Sequence, residues 1–232
     1  MKKDKKITVK FFLNKLLDAA TGDKGQKYYP LYIQVTYNRK NMQLKSMYGE
    51  YYEKIEEVKK GLMEFEERML CKVIRYESSQ IKGNYDLKGL KRKYEVYSGS
   101  VAEALENYLK PKLRLTVLKT KDWLVPVLNF NDSRATVSKL YQAARKLFPD
   151  LERFMNVKLH EELQAYSYYK PLYPDIFLDY TFPTIIEWVE GSYKKELEAK
   201  LKATYKTKPE IIKKVMTLIE QAVSKNLEQL GT

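Results

Sequence analysis

Apolar and polar positions alternate with a period of two in three short stretches near the start of the chain. In the first, Ile7, Val9, Phe11 and Leu13 share one side, and Thr8, Lys10, Phe12 and Asn14 share the other. In the second, Leu31, Ile33, Val35 and Tyr37 alternate with Tyr32, Gln34, Thr36 and Asn38. In the third, Met42 and Leu44 point one way, and Gln43 and Lys45 the other. Such alternation predicts strands buried on one face only. Asn38-Arg39-Lys40-Asn41 predicts a hairpin-type turn, because asparagine tolerates positive φ and supplies side-chain turn hydrogen bonds. Residues 18–30, with Gly22, Gly25 and Pro30, form the preceding loop. It lacks the spacing and the Lys-Ser/Thr ending of a phosphate-cradling loop.

From Tyr51 the period becomes helical. Ile55, Val58, Leu62, Phe65, Met69, Val73 and Tyr76 recur at threes and fours, which predicts a helix over 51–76. Its first part is expected to cover the apolar side of the sheet, since three strands alone are marginally stable. Glu53, Glu56, Glu57, Glu64, Glu66 and Glu67 are assigned to its solvated side, and Gly61 is expected to weaken it by about 1 kcal/mol relative to alanine. Residues 77–100 hold Ser78, Ser79, Gly83, Asn84, Gly89, Ser98 and Gly99, with Lys88, Lys91, Arg92 and Lys93 among them. They are expected to form a linker, with room for a short helix over 86–96.

Beyond residue 100 the pattern is helical. Ser100 with Glu103 makes a capping box for a helix to about Lys110, which Pro111 kinks or restarts. A short apolar element spans 123–130. Asp132 or Ser133 is expected to cap a helix through Leu147, and another spans 151–165. The Tyr- and Pro-rich residues 166–183 predict an irregular packed segment. Thr181 is expected to cap a helix reaching Tyr205, and Pro209 opens the last one. The fold class expected is α+β: a small three-stranded antiparallel sheet with a backing helix over 1–76, a linker over 77–100, and an all-helical domain over 101–232.

Charge sharpens the picture. The formal charge is +13, and residues 1–49 hold eleven Lys/Arg against three Asp, a net of +8. An excess gathered on one small sheet is the footprint expected of a polyanion binder. The outward side chains are amides, hydroxyls, aromatics and lysines, with no carboxylate, and they suit phosphates and base edges. Lys2, Lys3, Lys5 and Lys6 are expected to form a basic arm. Cys71 is the sole cysteine, so no intramolecular disulfide and no Cys-x-x-Cys metal site is expected, in keeping with a cytoplasmic setting. No apolar signal region follows Met1 and no run of about 18 apolar residues occurs, so no membrane association is expected.

ITVKFFL, the Asp23-Lys24-Gly25 turn, PLYIQVTYNRK and LKS together resemble the arm-type DNA-binding domain at the N-terminus of phage-type integrases (tyrosine recombinases) of the Bacteroidetes group. The resemblance spans about the first quarter of the chain. It implies a three-stranded sheet that lies in the major groove of duplex DNA and is backed by a helix. Its DNA-binding positions would be Lys10, Phe12, Asn14, Tyr32, Gln34, Thr36, Asn38, Arg39, Lys40, Gln43 and Lys45. In that family, strand transfer uses a nucleophilic tyrosine, two arginines and a His-x-x-Arg element in a C-terminal domain. Here the single histidine, His160, is followed by Glu-Glu-Leu, and the arginines past residue 100 are Arg114, Arg134, Arg145 and Arg153. No catalytic residue, metal site or cofactor is expected. The reading is a non-catalytic DNA-binding protein of a mobile element or phage-related locus. Its partners would be double-stranded DNA and either a second copy of itself or a recombination or regulatory protein. The alternative is a scaffold protein whose arm-like sheet no longer binds DNA. His160 is expected on a helix surface and Cys71 as a partly buried helix residue. Tyr166, Tyr168, Tyr169, Tyr173 and Tyr180 are expected to pack rather than to stack on bases.

Overall fold

The computed structural model describes residues 6–17, 19–21, 25–81, 85–130, 132, 135–173, 180–206 and 208–231. The expected basic arm at residues 2–5, Asp23, Lys24 and the capping role of Ser133 lie outside the described residues. The fold is α+β, with an antiparallel sheet first and helices after it. Contacts divide the chain into two compact units: residues 1–98 with 177–182, and residues 99–176 with 183–232.

In the first unit the strands are β1 (Thr8–Leu13), β2 (Ala20–Thr21), β3 (Lys27–Tyr37), β4 (Lys40–Lys45) and β5 (Tyr51–Tyr52). β3 pairs with all four others. Its second half runs between β1 and β4, as the alternation predicts. Its first half adds two short partners that alternation over so few residues does not reveal. Pro30 lies inside β3 rather than in the loop, and its carbonyl accepts from the Asn14 amide at 3.1 Å. The β3–β4 turn is only two residues long. Asn38 (φ 53) and Arg39 (φ 63) both take left-handed conformations, and such a turn matches the right-handed twist of the strands it joins.

Leu31, Ile33 and Val35 are fully buried and Leu44 nearly so. Each contributes roughly 1.5–3 kcal/mol by leaving water. Leu31 packs with Val58 and Leu62, and Phe11, Leu13, Tyr52 and Ile55 close around them. Helix α1 (Lys60–Gln80) therefore backs the sheet, but it starts nine residues later than expected. Tyr51 and Tyr52 are drawn into the sheet, and Ile55–Glu57 form a 3-10 turn. Gly61 then falls in the first helical turn, where interior propensity counts for little. Residues 85–97 are no plain linker. Tyr85, Leu87, Leu90, Tyr94 and Tyr97 are buried, the last three on helix α2 (Leu90–Tyr97) of the first unit.

Glu66 corrects its assignment to the solvated side, for it is fully buried. Its carboxylate accepts from the Ser46 hydroxyl at 2.7 Å, the Met47 amide at 2.9 Å and the Tyr94 hydroxyl at 3.0 Å. Ser46 in turn accepts from the Gly49 amide at 2.6 Å. A side chain at Gly49 would collide with this arrangement: a Cβ there would stand 2.5 Å from Ser46 Oγ and 2.7 Å from Leu31 Cδ2. The first unit is completed by residues from much later in the chain. Tyr180 and Phe182 pack on Phe65, with ring centroids 5.8 and 5.1 Å away, and on Tyr48.

The second unit contains α3 (Val101–Thr120), α4 (Leu124–Leu128), α5 (Val137–Leu147), α6 (Leu151–Phe154), α7 (Val157–Tyr169), α8 (Ile185–Val189), α9 (Ser192–Thr204) and α10 (Pro209–Leu227). Ser100 caps α3 by accepting from the Glu103 amide at 3.0 Å. α3 continues through Pro111 without a restart, because Leu105, Leu109, Leu113 and Val117 stay buried in one phase and Pro111 itself faces solvent. Two expected helices are each split. Asn156 breaks the helix expected over 151–165 by capping α7, and Gly191 (φ 89) breaks the one expected from Thr181 to Tyr205. Thr136, not Asp132, caps α5, and Thr184, not Thr181, caps α8. Glu162 ties the helices together, accepting from Lys112 at 2.7 and 2.8 Å and from Tyr108 at 3.1 Å. Tyr166 and Tyr169 are buried, as packing requires.

Burial raises the Glu66 carboxyl above its ordinary value of 4.5, and hydrogen bonds from Ser46, Met47, Tyr94 and the Tyr48 backbone only partly offset that rise. The stability tied to its proton is thus full below pH 4.5 and is lost as pH rises through the folded-state value. Replacing Glu66 by Gln should remove this component, so the stability difference between wild type and Glu66→Gln should change across that window. Glu66→Ala strands these donors and should cost about 3 kcal/mol or more. Urea denaturation as a function of pH measures both.

Candidate nucleic-acid interface

The register of β1, β3 and β4 sets the solvent-side residues of the sheet in three cross-strand rows. Thr8, Thr36 and Asn41 form the first, Lys10, Gln34 and Gln43 the second, and Phe12, Tyr32 and Lys45 the third. Neighbours within a row have Cβ atoms about 5 Å apart. Lys10, Gln43 and Lys45 are exposed, whereas Phe12, Tyr32, Gln34 and Thr36 are half-buried. No carboxylate stands in any row.

The rows differ in chemistry. Thr36 donates its hydroxyl to Asn41 Oδ1 at 2.7 Å, which leaves the Asn41 amide nitrogen as a donor. Gln34 and Gln43 face each other, and among the described residues neither amide has a hydrogen-bond partner. The Phe12 and Tyr32 rings lie 6.0 Å apart, tilted by 46°, and form one apolar step. Beyond them the Lys45 ammonium stands 5.0 Å from the Tyr51 ring. Arg39 projects at the tip of the hairpin. Lys10, Arg39 and Lys45 have no ion-pair partner among the described residues.

Three expected positions have other work. Lys40 pairs with Tyr37 and so falls on the apolar side of the alternation. Its ammonium is held by Asp86 at 3.1 Å, and that hydrogen bond keeps the Asp86 carboxyl below the usual carboxylate range. Asn14 closes a local turn, its Oδ1 accepting from the Leu16 amide at 3.1 Å. Asn38 serves the hairpin turn. Conversely, Thr8, which the alternation sets on this side, and Asn41 and Tyr51, which it does not, belong to the face outside the expected DNA-binding set. A two-residue turn would have revealed Asn41, since it makes Tyr37 and Lys40 partners and sets Asn41 outward.

Elsewhere the chemistry is local. His160 is exposed on α7, in a groove of about 320 Å³ that Tyr141, Arg145 and Glu152 also line. There Arg145 and Tyr141 are both spent on Glu152, at 3.1 and 2.8 Å. Cys71 is half-buried on α1, and burial pushes its thiol upward. Among the described residues no three His, Cys, Asp or Glu side chains gather in a way that would hold a metal ion, and no helix is long and apolar enough to cross a membrane. No protein-family model, curated protein or solved structure matches the chain.

The Lys40–Asp86 pair is directly testable. Lys40→Ala should move the Asp86 titration upward in pH, as followed by carboxyl carbon NMR, while Arg39→Ala should leave it in place.

Proposed function

We propose that the first unit binds duplex DNA through the solvent face of its sheet. The observation that carries this reading is the carboxylate-free set of rows, with amides at the centre and cations at the margins that have no partner among the described residues. The axes of β1 and β4 lie about 10 Å apart, two strand spacings, which suits a major groove about 12 Å wide. Gln34, Gln43, Tyr32 and Phe12 then meet base edges, and Lys10, Lys45, Arg39 and Lys15, which is exposed just past the end of β1, meet phosphates. Lys40 is a weaker contact, because it must leave Asp86.

The resemblance of residues 7–47 to integrase arm domains supports the same reading and adds a biological setting. The chain acts as a non-catalytic, integrase-like DNA-binding protein of a mobile element or phage-related locus, in the cytoplasm. The helical unit pairs two copies or holds a recombination or regulatory partner. Pairing would raise the effective concentration on adjacent sites.

About five phosphate contacts imply a log–log salt slope near −4.5, a loss of roughly 500-fold between 50 and 200 mM salt. Arg39→Ala should reduce that slope by about one and weaken all duplexes alike. Asp86→Asn, which releases Lys40, should steepen it by about one. Fluorescence anisotropy on random duplex across that salt range measures all three. An affinity indifferent to salt would sink the DNA reading and leave the scaffold reading.

A further inference from the structure

Resting on that reading, we propose that the sheet is built to read A·T base pairs, with adenine at the Gln34–Gln43 row and a thymine methyl at the Phe12–Tyr32 row. β3 is the central strand, so its solvent-side residues reach deepest toward the groove floor. They are Tyr32, Gln34 and Thr36: a ring, an amide and a hydroxyl. The Thr36 hydroxyl is already spent on Asn41. None of these three is a cation that would meet guanine, whose major-groove edge offers two acceptors and attracts Arg or Lys. A glutamine amide offers one donor and one acceptor, the complement of adenine N7 and N6. Two glutamines side by side, both without hydrogen-bond partners among the described residues, present that pattern twice.

The neighbouring row supplies the second element. Phe12 and Tyr32 make an apolar surface on a face that is otherwise polar and cationic. A phosphate gains nothing from it. The methyl group at C5 of thymine is the apolar group that the major groove presents. Rows two residues apart along a strand are separated by about 6.8 Å, twice the rise per base pair, so the two rows address base pairs about two steps apart. The lysines at the row ends, Lys10 and Lys45, lie on β1 and β4, nearer the phosphate walls.

The test uses the full chain and fluorescein-labelled duplexes at fixed low salt. Selection from a randomised duplex pool should enrich A·T-rich sites. In the best site, 7-deazaadenine in place of adenine, which removes only N7, should weaken wild type by fivefold or more. The same change should weaken Gln34→Ala less than wild type and leave the Gln34→Ala/Gln43→Ala double variant unaffected. Deoxyuridine in place of thymidine, which removes only the methyl, should weaken wild type by about threefold to fourfold and leave Phe12→Thr unaffected. The analogues alter the DNA and not the protein, so the wild-type measurements hold even if a variant folds poorly. Salt-sensitive binding with no A·T preference, or with G·C preference, or indifferent to both analogues, overturns this inference and leaves the proposed function standing. No binding to any duplex overturns both.

Discussion

One carboxylate buried beneath the strands fixes how the first unit holds together. Glu66 is set into α1, yet its donors come from the segment after β4 and from α2. A buried carboxylate is costly unless it is well hydrogen-bonded. That cost is met here by Ser46, Met47 and Tyr94, which all donate to the carboxylate. The bend at residues 46–49 is tight enough to exclude a side chain at Gly49. Slippage of α1 by one turn would strand the carboxylate and its donors together. The sheet's outward face therefore inherits its shape from a group on the opposite side.

Composition misled the sequence reading at this residue, but its phase did not. Position 66 lies four beyond Leu62, three before Met69 and seven before Val73, so it sits on the buried stripe of α1. Its neighbours Glu64 and Glu67 are exposed, and a run of acidic residues hid the one that points inward. Pro111 misled in the opposite sense. The helix expected to be kinked or restarted there is not restarted, because the buried leucines on either side keep one helical phase. The breaks that do occur, at Asn156 and Gly191, come from a capping side chain and a left-handed backbone, and both are short-range signals that a window of apolar spacing averages away.

The face of the sheet was more legible than the helices. Period two is fixed by backbone geometry, so which side chains share a face follows once the strands are placed. Register is the harder quantity. It depends on a turn of two residues rather than four, and with it Lys40 moves to the apolar side and Asn41 to the solvent side. Pairing across β1 and β4 then brings together Lys10 and Gln43 around Gln34, three residues that the linear pattern could only assign to the same side.

Tyr180 and Phe182 carry a consequence for how the protein is made. The first unit begins with the chain's earliest described residues, yet its aromatic cluster at Tyr48 and Phe65 closes only when residues 180–182 arrive. During synthesis the strands and α1 must wait while the whole segment 99–176 leaves the ribosome. At about 5–20 residues per second, the roughly 80 intervening residues impose a delay of about 4–16 s. Through that interval Phe65 and Tyr48 lack their later ring partners, so nascent chains on one messenger share a matching exposed surface at the moment they lie closest together.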